Sequence, residues 1–172
     1  VSVHSFLRVR LLLASWNRYS GSSESPVSAR SEKMDTDATR AALEALLAAF
    51  AAGDNDRLAA LYDDDVDWLF HCPASVFPFA GRRRGKAEVF QGFALFYRDY
   101  KLVGYDVLVK LVDGDQAAIV SDVHSIQRAT GRTMRSHIAG FHRFRDGKLI
   151  EYRGFTDSFD AVEQILGRGL QV

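Results

Sequence analysis

Residues 51–68 read AAGDNDRLAALYDDDVDW, and this stretch decides the fold class. An alanine-rich helix runs into Gly53 and Asp54, a pair that ends one helix and caps the next. The second helix is short, and an acidic turn leads from it into a strand in which Val66, Trp68 and Phe70 alternate. Two consecutive helices that lead directly into a strand predict an α+β domain with helices packed over a sheet.

The sequence on either side of this stretch extends the same pattern. A first helix, capped by Asp35 or Thr36, is predicted by apolar residues at helical spacing: Leu43, Leu46, Leu47 and Phe50. Residues 71–85, HCPASVFPFAGRRRG, predict a loop. A third helix follows, with an aromatic stripe from Phe90 to Tyr97.

The second half of the chain is rich in strand patterns. Four apolar runs are separated by Asp113-Gly114, Thr130-Gly131 and Asp146-Gly147, which are favoured hairpin turns. Asp157 is the predicted N-cap of a last helix that ends at Gly167. The order of elements predicts an α+β cone: a curved antiparallel sheet wrapped around three N-terminal helices, with a short C-terminal helix.

Composition restricts the possible partners. The chain has 172 residues, of which 47% are hydrophobic, and its 22 Lys and Arg balance its 22 Asp and Glu. This neutrality argues against nucleic acid or a membrane surface as a partner. No apolar run approaches the roughly 20 residues needed to span a bilayer. The single cysteine, Cys72, excludes an internal disulfide and fits the reducing cytoplasm, where we expect the protein to act.

Residues 1–33 differ in kind from the rest of the chain. They contain no acid before Glu24 and end in a serine-rich stretch typical of linkers. We expect them to be a disordered or non-native extension without a catalytic role, and residues 34–172 to form the folded domain. A signal or transit peptide is the alternative interpretation of the apolar and arginine-containing start.

Pairing across the last two turns sorts the long strands into two faces. A two-residue turn at Asp146-Gly147 sets Phe141 opposite Tyr152, and one at Thr130-Gly131 sets His124 opposite His137. One face then collects titratable residues on a surface otherwise made of Val120, Ala139 and Phe141: Asp122, His124, Arg135, His137 and Tyr152. A slip of one residue in either turn would exchange the faces.

This face predicts a small-molecule site in which Asp122, His124 and His137 are the catalytic acid–base groups. The alternative is that Asp122 pairs with Arg135 as a structural or interface ion pair. No second carboxylate completes a metal site with the two histidines, so neither a metal nor a cofactor is expected. The predicted substrate-binding side chains are the same for an enzyme and for a binding protein: Trp68, Phe79, Phe90, Phe93, Arg135, Phe141 and Tyr152.

The opposite face predicts a homodimer interface. It would carry several apolar side chains that the helices of the same chain leave uncovered: Ile119, Val123, Ile138, Phe144 and Phe155. An exposed apolar patch on a sheet commonly marks an interface between copies of a chain.

Residues 36–166 resemble the SnoaL-like branch of the nuclear transport factor 2-like superfamily, which includes ketosteroid isomerases and polyketide cyclases. The resemblance rests on AAGDNDRLAALYDDDVDW, the PFAG loop before the aromatic helix, the Thr130-Gly131 turn and DGKLIEYRGFTD. It implies a dimer that binds a hydrophobic small molecule between helices and sheet. It implies either a cofactor-independent enzyme of cyclase, isomerase or hydratase type, acting on a hydrophobic carbonyl compound, or a non-catalytic binding or accessory domain.

Two well-understood active sites of this superfamily do not carry over. The ketosteroid isomerase pattern puts Leu46 at the position of its tyrosine and Phe70 at that of its aspartate base. The limonene epoxide hydrolase pattern puts Gly154 at the position of its water-activating aspartate. Neither mechanism is expected here, although both alignments put Tyr152, Gly154 and Thr156 on the cavity side.

Overall fold

The computed structural model describes residues 34–170, and the extension predicted over residues 1–33 lies outside the described residues. Its elements are, in chain order, α1 (Thr36–Ala52), α2 (Asn55–Ala60), β1 (Tyr62–His71), β2 (Gly81–Arg84), α3 (Gly85–Asp99), β3 (Tyr100–Asp113), β4 (Gln116–Gln127), β5 (Thr133–Arg145), β6 (Lys148–Thr156) and α4 (Ser158–Leu166). No helix in this part of the chain is long and apolar enough to cross a membrane.

The helix ends follow the predicted capping residues. The side chain of Asp35 accepts a hydrogen bond from the Ala38 amide at 2.7 Å, and Gly53 ends α1 in the left-handed conformation with φ of 65°. Asp54 caps α2 and Asp157 caps α4 through the same kind of side-chain contact. Local capping chemistry therefore places all three of these helices as predicted.

The six strands form one open sheet in the order β2-β1-β6-β5-β4-β3. The meander from β3 to β6 is the predicted one. The sheet is not wholly antiparallel as predicted, however, because β6 lies beside β1 and the two strands pair in parallel. The short strand β2, within the segment predicted as a loop, pairs with β1 at the edge.

The register between β4 and β5 differs by two residues from the predicted one. Asp122 lies opposite His137 and His124 lies opposite Arg135, because Gln127 and Arg132 close a loop over residues 128–131. Side chains alternate with a period of two, so this slip leaves the grouping of residues by face unchanged.

A bulge between β5 and β6, in contrast, changes which residues share a face of the sheet. Arg145 lies opposite Lys148 and Phe144 opposite Leu149, as predicted, but Arg143 then lies opposite Glu151. Ile150 is the extra residue on β6. Beyond this point Tyr152 shares a face with His142, not with Phe141.

The core identifies which face the helices cover. Phe144 and Leu149 are paired and almost wholly buried, and they pack in one cluster with Leu43 and Leu46 of α1 and Val89 of α3. We call the face of Phe144 the inner face and the other the outer face. Ile119, Val123, Ile138 and Phe144 lie on the inner face, so the dimer surface predicted from them is wrong, and only Phe155 of that set lies on the outer face.

Candidate functional site

A cavity of about 150 Å³ lies between α1, α3 and the inner face of the sheet. Every layer of the domain contributes an aromatic ring to its wall, including Phe50, Trp68, Phe79, Phe93 and Tyr152. None of the described lining residues is Asp, Glu, Lys or Arg. The cavity is therefore suited to an apolar molecule and offers only neutral polar groups.

His142 is the most unusual of these polar groups. Its side chain lines the cavity although the residue is only 6% exposed, and its Nδ1 atom makes no hydrogen bond to any described residue. Burial lowers the pKa of His142 to about 4, and the backbone of Ala117 and Gly140 opposes this only in part. The ring is therefore a neutral imidazole at neutral pH, with one N–H and one free lone pair.

Tyr152 lies beside His142 in the cavity wall. Its ring meets that of His142 edge to face at 5.0 Å and stacks on Trp68 at 5.3 Å. The Tyr152 ring lies against two glycines. A Cβ added to Gly154 would lie 2.7 Å from Phe70 Cδ2 and would also overlap the Tyr152 ring. A Cβ added to Gly140 would lie 3.0 Å from Tyr152 Cε2. Both glycines are thus needed for the position of this ring. Burial raises the pKa of Tyr152, so its hydroxyl stays a proton donor.

The other hydroxyl groups around the cavity are less available. The Tyr105 hydroxyl accepts a hydrogen bond from Ser121 Oγ at 3.0 Å. Tyr62 is buried between the rings of Phe90 and Phe93, and burial raises its pKa. His142 and Tyr152 therefore form the main polar end of an otherwise aromatic cavity.

The predicted catalytic group forms a separate cluster on the outer face. Asp122 Oδ2 accepts a hydrogen bond from Arg135 Nη2 at 2.6 Å, and Arg135 Nε lies 3.1 Å from both carboxylate oxygens. The Nε2 atoms of His124 and His137 lie 3.3 and 3.8 Å from Asp122 Oδ1. The hydrogen bonds from Arg135 hold the pKa of Asp122 at about 2, so the carboxylate is committed to this ion pair.

The prediction that Asp122, His124 and His137 face the aromatic cavity is wrong. Arg135 and Phe141 lie on the outer face with them and do not reach the cavity either. The physical cause is the extra residue Ile150, which turns Tyr152 to the face opposite Phe141. A catalytic role for this outer cluster of Asp122, His124 and His137 stays a prediction. The ion pair between Asp122 and Arg135 is the arrangement that the alternative, a structural or interface ion pair, predicts.

Most of the aromatic residues predicted to contact substrate do lie in the cavity wall. Trp68, Phe79, Phe93 and Tyr152 line the cavity, whereas Phe90 lies behind the wall and contacts Phe93 with ring centroids 5.4 Å apart. Leu46 and Phe70, which the resemblance puts at two vacant catalytic positions, also line it.

Sequence reasoning missed His142. Its alternation with Gly140 and Phe144 was visible, but nothing local showed that this was the buried face. Within residues 34–170, no group of three or more His, Cys, Asp or Glu side chains could hold a metal ion.

Comparisons with known proteins agree with this architecture. Residues 43–152 match the family described as SnoaL-like domain. The structure is similar to that of a candidate isomerase from Rhodopseudomonas palustris, with 30% identity, a TM-score of 0.68, and coverage of 76% of this chain and 97% of that one. No curated protein has a matching sequence.

More distant solved structures share the fold. An NTF2-like protein from Burkholderia xenovorans LB400 has 20% identity and a TM-score of 0.67, and the match covers 76% of this chain and 98% of that one. An epoxide hydrolase of the LEH-like type from M. tuberculosis has 19% identity and a TM-score of 0.59, with coverage of 77% and 92%. The chain thus belongs to the SnoaL-like domain family and has the NTF2-like, ketosteroid isomerase-like α+β fold.

Proposed function

We propose that the protein binds a small hydrophobic molecule in the aromatic cavity. The observation that carries this proposal is a space of about 150 Å³ walled by aromatic rings and free of charged side chains among its described lining residues. Such a site stabilises an apolar ligand through burial of its surface, while a few neutral polar groups orient it.

Acid–base catalysis on a carbonyl compound is a second candidate function, and the His142–Tyr152 pair favours it. A neutral imidazole can take a proton from a carbon next to a carbonyl, while a tyrosine hydroxyl donates a hydrogen bond to the carbonyl oxygen. The description of one similar structure, at 30% identity, as a candidate isomerase is compatible with this chemistry. No carboxylate lines the described cavity, so these two side chains would act without one.

Native mass spectrometry of the purified protein tests the binding function. We expect a small molecule to remain bound to the wild type or to bind from an offered panel of ring compounds. Gly140→Ala should reduce the bound fraction, because its Cβ would lie 3.0 Å from His142 Cε1 and from Tyr152 Cε2. Gly169→Ala is the matched control, since its nearest neighbour would be a glutamate oxygen at 3.6 Å. Equal binding by the wild type and Gly140→Ala would place the ligand elsewhere.

Deuterium exchange tests the catalytic function separately. In D₂O, the wild type should speed deuterium incorporation into the methyl group of acetophenone, whose α-proton His142 would take. His142→Gln should lower this rate, by less than the roughly 10²–10⁴-fold typical of a base whose pKa lies near the working pH, because burial lowers the pKa of His142 to about 4. Binding of the ketone without any such acceleration would leave the protein as a binding domain.

A further inference from the structure

The size of the cavity limits the ligand. An engineered protein cavity of about 150 Å³ accommodates benzene, whereas pockets for drug-sized ligands measure about 300–1,000 Å³. The cavity measures about 150 Å³, so it has room for one ring with a small substituent and not for several fused rings. The aromatic rings of the wall pack against one another. The ring centroids of Phe79 and Phe96 are 5.2 Å apart, and those of Trp68 and Tyr152 are 5.3 Å apart. A close-packed interior of this kind does not widen without cost.

The charge of the ligand is limited as well. The wall contains no charged side chain among the described residues, and the ion pairs of Asp122 with Arg135 and of Glu151 with Arg153 lie on the outer face. A carboxylate or ammonium group placed in the cavity would lose its hydration without gaining a partner. An uncharged molecule avoids this penalty.

The polar groups of the cavity are concentrated at one end. His142 and Tyr152 meet there at 5.0 Å, and His142 Nδ1 is buried without a partner among the described residues. The Tyr105 hydroxyl is already bonded to Ser121. The imidazole N–H and the Tyr152 hydroxyl are both hydrogen-bond donors, so this end of the cavity favours a ligand group that accepts hydrogen bonds, such as a carbonyl oxygen.

We propose that the ligand is an uncharged compound with a single ring and one carbonyl group, of about the size of acetophenone. Its ring packs among Trp68, Phe79 and Phe93, and its carbonyl group lies at the end formed by His142 and Tyr152. This inference rests on the proposed function and adds the size, the charge and the orientation of the ligand.

Fluorescence of Trp68 provides the test. The chain has two tryptophans, so Trp16→Phe leaves Trp68 as the only indole. This protein is titrated with acetophenone, with cumene (which has a similar size but no oxygen), with benzoate (which adds a charge) and with 2-acetonaphthone (which adds a ring). Acetophenone should bind about tenfold more tightly than cumene and at least a hundredfold more tightly than benzoate or 2-acetonaphthone. Tyr152→Phe and His142→Gln should each narrow the gap between acetophenone and cumene.

The outcomes separate the inference from the function beneath it. If none of the four compounds changes the fluorescence in a saturable way and none binds by calorimetry, the proposed function fails. If 2-acetonaphthone binds as tightly as acetophenone, the size limit is wrong while the binding function stands. If benzoate binds at least as tightly as acetophenone, the restriction to uncharged ligands is wrong. If cumene and acetophenone bind equally, the carbonyl assignment is wrong.

Discussion

His142 and Tyr152 lie opposite each other on β5 and β6, and their rings meet edge to face with centroids 5.0 Å apart. Burial keeps the imidazole neutral and the phenol protonated. Two neutral groups that can donate and accept hydrogen bonds therefore sit side by side in an aromatic cavity.

The free energy of unfolding should fall as His142 is forced to protonate. Its pKa is about 4 in the folded protein, against an ordinary value of 6.5, so the unfolded chain binds this proton more readily. Stability is therefore lost as the pH falls from 6.5 towards 4, by about 2 kcal/mol between pH 7 and pH 5. Urea unfolding at both pH values measures the loss. Between pH 7 and pH 5, His142→Phe should lose about 2 kcal/mol less stability than the wild type. An equal loss in the two proteins would contradict the lowered pKa of His142.

Asp122 should stabilise the fold above about pH 4 and should not affect ligand binding in the cavity. Its folded pKa of about 2 is below the ordinary 3.8, so the contribution of its ion pair is present above pH 4 and lost as the pH falls towards 2. Asp122→Asn should abolish this acid-dependent loss and leave ligand affinity within about twofold of wild type. Asp106→Asn, which removes an exposed carboxylate opposite Asp122, is the control. A large loss of ligand affinity in Asp122→Asn alone would return the outer cluster to the site.

Gly154→Ala should disturb the cavity wall. The new Cβ would lie 2.7 Å from Phe70 Cδ2 and 2.8 Å from Tyr152 Cε1, so one of the two rings must move. Overpacking of this kind typically costs about 1–3 kcal/mol of stability. Thermal unfolding and ligand titration check the effect, with Gly169→Ala as the control. Unchanged stability and affinity would show that the Tyr152 ring is not held in this position.

The domain should form a dimer through an apolar patch on the outer face, defined by Val109, Leu111, Phe141 and Phe155. Val109 and Leu111 are each 48% exposed on the edge strand β3, opposite Val120 and Ala118 of β4. A second copy would cover this patch. Light scattering should show a dimer for the wild type and a monomer for Leu111→Glu. Phe159→Glu, at a 68% exposed position on α4, should stay dimeric. A wild-type monomer at micromolar concentration would contradict the prediction.

Much of the fold could be read from the sequence because its signals are local. Asp35, Asp54 and Asp157 cap helices through bonds to residues three positions ahead, and Gly53 and Gly167 end helices with positive φ. The three hairpins likewise lie near the predicted glycines, but only Asp146-Gly147 forms the predicted two-residue turn: the turn after β3 is Gly114-Asp115, and residues 128–131 form a longer loop. The parallel pairing of β1 with β6 joins distant parts of the chain and has no local signal.

The candidate site was harder to predict because it depends on a single residue of register. The alignments with relatives put Tyr152 and Gly154 on the cavity side, and both lie on the inner face. Regular pairing of β5 with β6 puts Phe141 opposite Tyr152 and therefore predicts Phe141 on the cavity side. The bulge at Ile150 puts His142 opposite Tyr152 instead. A bulge is stabilised by packing on both sides of the sheet, which no short stretch of sequence reveals.

The most direct test of the account follows the histidine side chains by NMR during addition of acetophenone. His142 lies in the cavity wall, while His124 and His137 lie on the outer face beside Asp122. The Cε1–Hε1 signal that disappears in His142→Gln should shift in a saturable way, and the signals of His124 and His137 should stay in place. A shift of His124 and His137 with His142 unmoved would contradict the account and place the ligand at the outer cluster.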